Sequence, residues 1–434
     1  MVQCIPIKTV RLGLLGFGTV GQSLVRLIQG QSTRLRESLG LDFQWSAIGN
    51  RAIDRKETAW VAGPVWWTSD LEKVACAADV DILVELLGGL EPAHQLLRGA
   101  IQSGKSVVTA NKLLLARHGA ELADLAQERG VALGLEASVA GGIPILRAVR
   151  ESFAGDELKS VAGILNGTCN FILTEMETTG REYADILEDA QRLGYAEADS
   201  SSDVEGADAA YKLTLLSRMC FGQSVEFEQI FREGITRLMP CDFIYARQLD
   251  RTPRQLASCT QLASGKLLLS VRTHMVPNQS ILAKVQGPFN AVQVNGKSGG
   301  EFVFYGRGAG GDPTAVAVLS DIVEIARSGA RMMVPPLGFS RFAPFAPAGP
   351  ADFVAPFYLR FVVRDQPGII ASISRSLADH GININAVLQA PFADKEALPF
   401  VITLEPVSQS QLQEALGDIG KFGFHTQPPL ALPM

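Results

Sequence analysis

The stretch from Gly194 to Lys212 gathers Glu197, Asp199, Asp203, Glu205 and Asp208 ahead of a single amine, Lys212. Asp208 and Lys212 stand four residues apart, so on a helix they share a face. Acids grouped with one amine suit a small substrate that carries an ammonium group beside a carbon to be oxidised or reduced. The carboxylates would hold the ammonium, and the lysine would move the proton that accompanies the redox step. A plainer reading is a solvated helix start, with acids favoured by the helix dipole and one ion pair a turn apart. The beginning of the chain weighs on that choice.

The elements that must position these residues follow from the apolar pattern. The acidic stretch divides into a loop, with Gly194 and residues 200–202, and a helix start that runs on through residues 213–219. Far upstream, residues 9–15 form a short apolar run that reads as a buried strand. Gly16-Phe17-Gly18-Thr19-Val20-Gly21 leads from it into the helical pattern of residues 23–28. A GxGxxG motif between strand and helix is a dinucleotide signature. Gly16 permits the tight turn, Gly18 lets the backbone approach a pyrophosphate, and Gly21 lets the helix pack closely on the strand. The helix N-terminus then faces the anion.

A second strand, residues 43–48, ends at Gly49-Asn50-Arg51. NAD-binding folds usually place an acid there for the ribose 2′-hydroxyl; Arg51 suits a 2′-phosphate and points to NADPH, with NADH left open. The plainer reading of Arg51 is a surface arginine at a strand end. Strands at 81–86, 106–109 and 131–135 alternate with helices at 93–102 and 120–129, the order of a doubly wound parallel sheet.

From residue 136 the composition changes to longer strands and helices with Gly-rich junctions, as far as residue 304. Tyr305-Gly306-Arg307-Gly308-Ala309-Gly310-Gly311-Asp312-Pro313-Thr314 then precedes a helix expected over 315–326, with Pro313 at its first position. This second glycine turn could return the chain to the nucleotide domain, over about residues 305–330. Residues 333–356 are Pro-rich and read as a stiff linker. Residues 357–430 follow the order βαββα with a final short strand, a small ferredoxin-like unit.

Composition narrows the partners. The chain has 434 residues, 47% of them hydrophobic, and a net charge of −6. No basic stripe is present, so nucleic acid is not expected. The first apolar run is broken by Arg11 and followed by the glycine turn, so neither a signal peptide nor a membrane span is expected. The six cysteines are scattered without a CxxC, as reduced buried thiols of a cytoplasmic protein would be. The five histidines are dispersed and show no zinc-like spacing.

Taken together the motifs closely resemble homoserine dehydrogenases of the monofunctional type with a C-terminal ACT domain. The resemblance spans essentially the whole chain. It rests on Gly16–Gly21, Thr109-Ala110-Asn111-Lys112, the block Glu136-Ala137-Ser138-Val139-Ala140-Gly141-Gly142-Ile143-Pro144-Ile145, residues 163–173 (GILNGTCNFIL) and the acidic stretch. It implies an α/β fold in three parts. These are a Rossmann-type NAD(P)-binding domain over 1–135 with its return segment, an α+β catalytic and dimerisation domain over 136–304, and a ferredoxin-like ACT domain over 357–430. No aspartokinase-like region precedes the dinucleotide motif, so the bifunctional form is not expected.

The implied reaction is the reversible NAD(P)H-dependent interconversion of L-aspartate 4-semialdehyde and L-homoserine, in the threonine, methionine and isoleucine branch of aspartate-family biosynthesis. By this resemblance Lys212 is the proton donor, a role that suits a lysine tuned by desolvation or neighbours. Asp208 orients the reacting end, Lys112 is the second lysine of the site, and Glu197, Asp203 and Asp208 bind substrate. Gly16, Phe17, Gly18, Thr19, Val20, Gly21, Arg51, Lys112 and Gly310 would meet the cofactor. Glu136, Val139, Gly141 and Ile143 would hold a monovalent cation, Na+ or K+, mainly through backbone carbonyls. A homodimer or homotetramer is implied, with threonine as effector of the ACT domain.

Two positions depart from the family pattern. Ser200 stands where proline often follows the Glu-Ala-Asp triplet, and Thr403-Leu404 replaces a Thr-His pair at the end of the third C-terminal strand. A C-terminal domain serving assembly alone therefore stays an alternative. Two other readings fit these residues less well. A phosphoglycerate-type dehydrogenase with an ACT tail would want arginines and a histidine–carboxylate pair in its pocket, where this cluster is acidic and histidine-free. An amino-acid sensor that merely holds a dinucleotide has no use for two lysines among carboxylates.

Overall fold

The structure, a computed structural model, describes residues 6–328, 345–391 and 394–434. Its contacts divide the chain into two units. The first draws on Met1–Leu158, Tyr211–Phe227 and Asn295–Pro344, and the second on Lys159–Ala210, Glu228–Val294 and Phe345–Met434. Residues 136–158 and 211–227, on the catalytic side of the break expected at residue 136, thus fall in the same unit as the nucleotide fold.

The chain opens with β1 (Lys8–Leu15), α1 (Thr19–Gly30), α2 (Ser32–Leu39), β2 (Leu41–Gly49), β3 (Trp66–Thr68) and α3 (Leu71–Cys76). It continues through β4 (Ile82–Glu85), α4 (Ala93–Gln102), β5 (Ser106–Thr109), α5 (Lys112–Arg129), β6 (Leu133–Gly134) and the short α6 (Ile145–Arg147). The six strands lie in the order β3-β2-β1-β4-β5-β6, with every pair parallel. That is the doubly wound dinucleotide arrangement, whose ligands sit beyond the carboxyl ends of the strands. The expected strands are all present. The short β3 has too little length for a pattern to show, and α5 starts at Lys112, well before the helix expected from residue 120.

The second stretch forms β7 (Leu158–Ile164), α7 (Gly167–Thr179), α8 (Tyr183–Arg192), α9 (Ser201–Val204), α10 (Ala207–Phe221), β8 (Phe231–Arg232) and α11 (Pro240–Gln248). The long hairpin β9 (Arg251–Gln261) and β10 (Leu267–Pro277) follows, then β11 (Phe289–Gly296), β12 (Gly300–Arg307) and α12 (Gly311–Ser328). Within the second unit the strand order is β11-β7-β9-β10-β8, a mixed sheet with β7, β9 and β10 antiparallel and β8 parallel to β10.

Helix α12 belongs to the first unit. Its Ala315, Val318, Leu319, Ile322 and Ile325 share a core with Leu24, Val25 and Ile28 of α1 and Leu12 and Leu14 of β1. A Cβ at Gly311 would stand 2.6 Å from Ser23 Oγ and 3.2 Å from Thr19 Cγ2, so the two helices approach closely there and a larger residue would push those side chains aside. The helix begins at Gly311, not Ala315, which puts Pro313 third in its first turn, where a missing N–H breaks no helical bond.

The C-terminal part comprises β13 (Val354–Ala355), β14 (Phe357–Val363), α13 (Ile369–Asp379), β15 (Ile384–Leu388), β16 (Leu398–Leu404), β17 (Val407–Ser408), α14 (Gln409–Ile419) and β18 (His425–Pro433). Its antiparallel sheet runs β15-β16-β14-β18, the ferredoxin-like order, and the last strand is nine residues long, not short. Of the Pro-rich linker, residues 333–344 lie outside the described residues. The rest is pinned: Ala346 O accepts Leu267 N–H at 3.1 Å, Ala348 N–H donates to Leu267 O at 2.9 Å, and β13 pairs with β17. No described helix is long and apolar enough to cross a membrane.

Candidate active site

In the first unit, the glycine turn is shaped by close approaches on one side and left open on the other. Gly16 has φ +102°, and a Cβ there would lie 2.5 Å from Leu86 O; a Cβ at Gly21 would lie 2.2 Å from Gly16 O. At Gly18 a Cβ would meet nothing within 4 Å. Gly18 caps α1 without any side-chain hydrogen bond, and no acid lies in that helix's first turn. The three glycines therefore have different causes: two are forced by packing, whereas the third keeps space in front of the first amides of α1, as a pyrophosphate requires. Thr19 and Val20 open the helix, and Thr19 is exposed. The Phe17 ring is buried against Trp60 and Trp67, so only its backbone can meet a cofactor. Arg51 is exposed in the turn after β2, and Gly310 takes φ +118° just before α12.

A buried network behind this edge was not read from the sequence. Glu85, fully buried at the end of β4, accepts N–H from Leu87 at 2.7 Å and Gly88 at 3.3 Å, and the Thr109 hydroxyl at 2.5 Å. Burial pushes its carboxyl up from the usual range. Thr109 Oγ1 in turn accepts Asn111 N–H; Asn111 donates through Nδ2 to Gly89 O at 2.6 Å and caps α5 by accepting Leu114 N–H at 3.1 Å. This chain of bonds fixes where α5 begins and so places Lys112, its first residue. An acid ending the apolar run Ile-Leu-Val-Glu was the available signal.

The turn from Glu136 to Ile143 is also in the first unit. Ala140 and Gly141 take consecutive left-handed conformations, φ +54° and +52°, and a Cβ at Gly141 would stand 2.5 Å from Gly308 O. Glu136, Val139, Gly141 and Ile143 are buried. The Glu136 carboxylate is committed elsewhere: it accepts Leu146 N–H at 3.0 Å and Arg147 N–H at 2.8 Å. A cation at this turn would therefore draw on backbone carbonyls, which are hard oxygen donors suited to Na+ or K+. The Glu136 and Ile143 carbonyls each accept one amide, from Val139 and Ile145, and a carbonyl keeps a second lone pair.

In the second unit, one asparagine organises the acids. Asn166 caps α7 by accepting Cys169 N–H at 2.8 Å, while its Nδ2 donates to Asp203 at 2.7 Å and Asp208 at 2.9 Å. Two acids far apart in sequence are thereby held on one amide. Asp208 is buried on α10, and Lys212, 8% exposed, follows one turn later on the same helix. The structure thus brings Asp203 and Asp208 together. Glu197 is exposed on the preceding loop, whose backbone is tied down by Gln191 donating to Glu197 O and Ala198 O. Ser200, the departure from the family pattern, is buried at the bend into α9, and its carbonyl accepts the Asp203 and Val204 amides. The role of Asn166 was missed, although an asparagine opening a helix is a capping signal.

The site can be compared with known proteins. A family model for the homoserine dehydrogenase NAD-binding domain matches residues 16–136, one for homoserine dehydrogenase matches 144–323, and an ACT-domain model matches 357–424. The chain is 38% identical to the homoserine dehydrogenase of Pseudomonas aeruginosa, over 94% of this chain and 95% of that one. It is 40% identical to that of Mycobacterium leprae, over 89% and 88%. Among solved structures, a homoserine dehydrogenase from Thiobacillus denitrificans superimposes with a TM-score of 0.91 at 36% identity, covering 99% of this chain and 98% of that one. A hyperthermophilic archaeal homoserine dehydrogenase in complex with NADPH matches at 0.62 and 28%, covering 73% and 97%. With a doubly wound nucleotide fold, the acid-and-lysine helix and these likenesses along nearly its full length, the chain belongs to the homoserine dehydrogenase family of nicotinamide-dependent oxidoreductases.

Proposed function

We propose that this chain catalyses the reversible NADPH-dependent reduction of L-aspartate 4-semialdehyde to L-homoserine, in the branch leading to threonine, methionine and isoleucine. The observation that carries the reading is Asn166 bonding both Asp203 of α9 and Asp208, the latter one turn before Lys212 on α10. Acids so gathered suit the α-ammonium of an amino-acid substrate, with Glu197 contributing from its loop. Asp208 orients the reacting end, and Lys212 gives the carbonyl oxygen its proton in reduction and takes it back in oxidation. Lys112, fixed by the Glu85–Thr109–Asn111 network, serves as the second lysine.

The residues present fit a dinucleotide, since the space at Gly18 and the uncapped start of α1 are what its phosphates need. Bound there, a nicotinamide supplies or accepts the hydride. Arg51 favours the 2′-phosphate of NADPH, and a charge-assisted contact of that kind contributes about 1.5–3 kcal/mol. The carbonyls of Glu136, Val139, Gly141 and Ile143 would hold Na+ or K+. The C-terminal domain would bind threonine as effector, in a homodimer or homotetramer. Five described cysteines carry unbridged thiols, in keeping with work in the cytoplasm.

A steady-state assay with L-homoserine and NADP+ or NAD+ tests the reading. Reduction of the dinucleotide, faster with NADP+, is expected; no turnover with either cofactor overturns it. Lys212→Ala is expected to cut kcat by about 10²- to 10⁴-fold, the usual span for general acid–base groups, with little change in dinucleotide affinity. Near-native turnover in that variant removes Lys212 from the mechanism. In Arg51→Ala the ratio of kcat/KM for the two cofactors should fall about 10- to 100-fold toward NADH. Calorimetry with threonine should show binding, and its absence would leave the C-terminal domain a part of the assembly.

A further inference from the structure

Away from the glycine turn, helices α4 and α5 bring together His94, His118 and Glu121, one ligand atom of each lying within 4.8 Å of the others. His94 Nε2 is 3.1 Å from Glu121 Oε2, and His118 Nδ1 is 3.5 Å from the same oxygen. In a tetrahedral zinc site with bonds of about 2.0–2.2 Å, neighbouring ligand atoms stand about 3.3–3.5 Å apart. The two separations bracket that spacing. The imidazole rings are stacked, with centroids 4.0 Å apart and planes at 18°, so joint ligation requires the rings to turn out of the stack.

The surroundings are those of an outer shell. Glu91 Oε1 lies 3.5 Å from His94 Nδ1, on the side of the ring away from the Nε2 that faces Glu121. Arg98 Nε lies 3.2 Å from Glu121 Oε1 and steadies the carboxylate oxygen that the ion would not use. Carboxylate partners of ligating histidines serve this purpose in metal sites generally. The histidine side chains are 15% and 32% exposed and Glu121 is 46% exposed, so the cluster is open to ions and three protein ligands leave a position for water.

We propose that His94, His118 and Glu121 form a binding site for a divalent transition metal of zinc's class, with Glu91 and Arg98 as its supporting residues. Imidazole and carboxylate donors select such ions over Na+, K+ or Mg2+. The ion would clamp α4 to α5, and hence brace the glycine loop that Glu85 and Asn111 hold between β4 and α4. This site is independent of the reaction assigned above.

The test is calorimetric titration of the full, chelator-treated chain with ZnCl2, alongside His118→Ala, His94→Gln and the shape-preserving Glu121→Gln. One saturable equivalent is expected in the parent, with affinity at least 10-fold weaker in each variant. Cobalt in place of zinc should give visible d–d absorption without a thiolate charge-transfer band. No saturable site in the parent, unchanged zinc affinity in folded Glu121→Gln, or a thiolate band pointing to cysteine would each overturn the proposal.

Discussion

Two buried arginines join the C-terminal part of the second unit to the rest of it, and they are satisfied in opposite ways. Arg360 on β14, 2% exposed, pairs with fully buried Asp242 of α11. That carboxylate also accepts the Tyr358 hydroxyl at 2.7 Å and Met239 N–H at 2.8 Å. Burial pushes the Asp242 carboxyl above its usual range, and the Arg360 charge opposes that shift. Arg272 on β10 is also buried, but it donates to the amide oxygen of Gln409 at 3.2 Å and lies over the rings of Phe353 and Phe231, 4.1 and 5.1 Å from their centroids. Burial brings it down to about 10, opposed by Glu233. A matched charge makes one contact expensive to break on one side only. A neutral acceptor and aromatic faces make the other tolerant of change.

The same substitution at both sites should separate them most. Arg360→Met leaves Asp242 buried and unpaired and should destabilise the chain by about 3–5 kcal/mol. Arg272→Met strands a neutral amide and removes the charge that offsets the burial of Glu233, but keeps the apolar stem against Phe353, so a smaller loss of about 1–3 kcal/mol is expected. Urea denaturation of the two variants measures the difference, and equal losses would erase the contrast. The double variant Arg360→Met/Asp242→Leu should recover most of the larger loss, because the desolvation of both charges disappears together.

A smaller effect lies beside Arg272. Burial, aided by the Arg272 charge, lowers the His274 imidazole to about 3. Folded chains thus keep it neutral, while unfolded chains protonate it below an ordinary value near 6.5. Its contribution is therefore intact above pH 6.5 and lost as pH falls toward 3, with about 2 kcal/mol gone by pH 5. His274→Gln should flatten that part of the stability–pH curve. An unaltered slope between pH 7 and pH 5 would mean that other groups set it.

How much of this was legible in the sequence depended on the distance between partners. The strand-turn-helix at Gly16–Gly21 is local, and its sheet and open anion side followed from residue type alone. The acidic stretch was legible as a group, since Asp208 and Lys212 sit a turn apart. What holds it was not, because Asn166 reaches Asp203 from 37 positions away. The start of α5 was set too late because its cap depends on Thr109 and Glu85, a contact across two strands. His94 and His118 showed no metal-like spacing, and only the packing of α4 on α5 makes them neighbours. The Arg360–Asp242 pair spans 118 positions and leaves no periodic trace.

The finest test of the comparison is Tyr358→Phe. The phenol donates to an acid that has two other partners, and burial, with the Asp242 charge second, raises the phenol well above its ordinary range. Removing the hydroxyl deletes one hydrogen bond to a charged acceptor without changing the ring, which is fully buried in the core with Tyr245, Val401 and Leu432. A cost of about 1.5–3 kcal/mol is the usual figure for a bond to a charged group, and the Arg360 and Met239 donors should hold it near the lower end. If Arg360 is the dominant partner, the loss in Tyr358→Phe stays below that in Arg360→Met, and kcat is unchanged. A larger loss from the phenol than from the guanidinium would mean that Asp242 is held as a hydrogen-bonded acid and not as half of an ion pair.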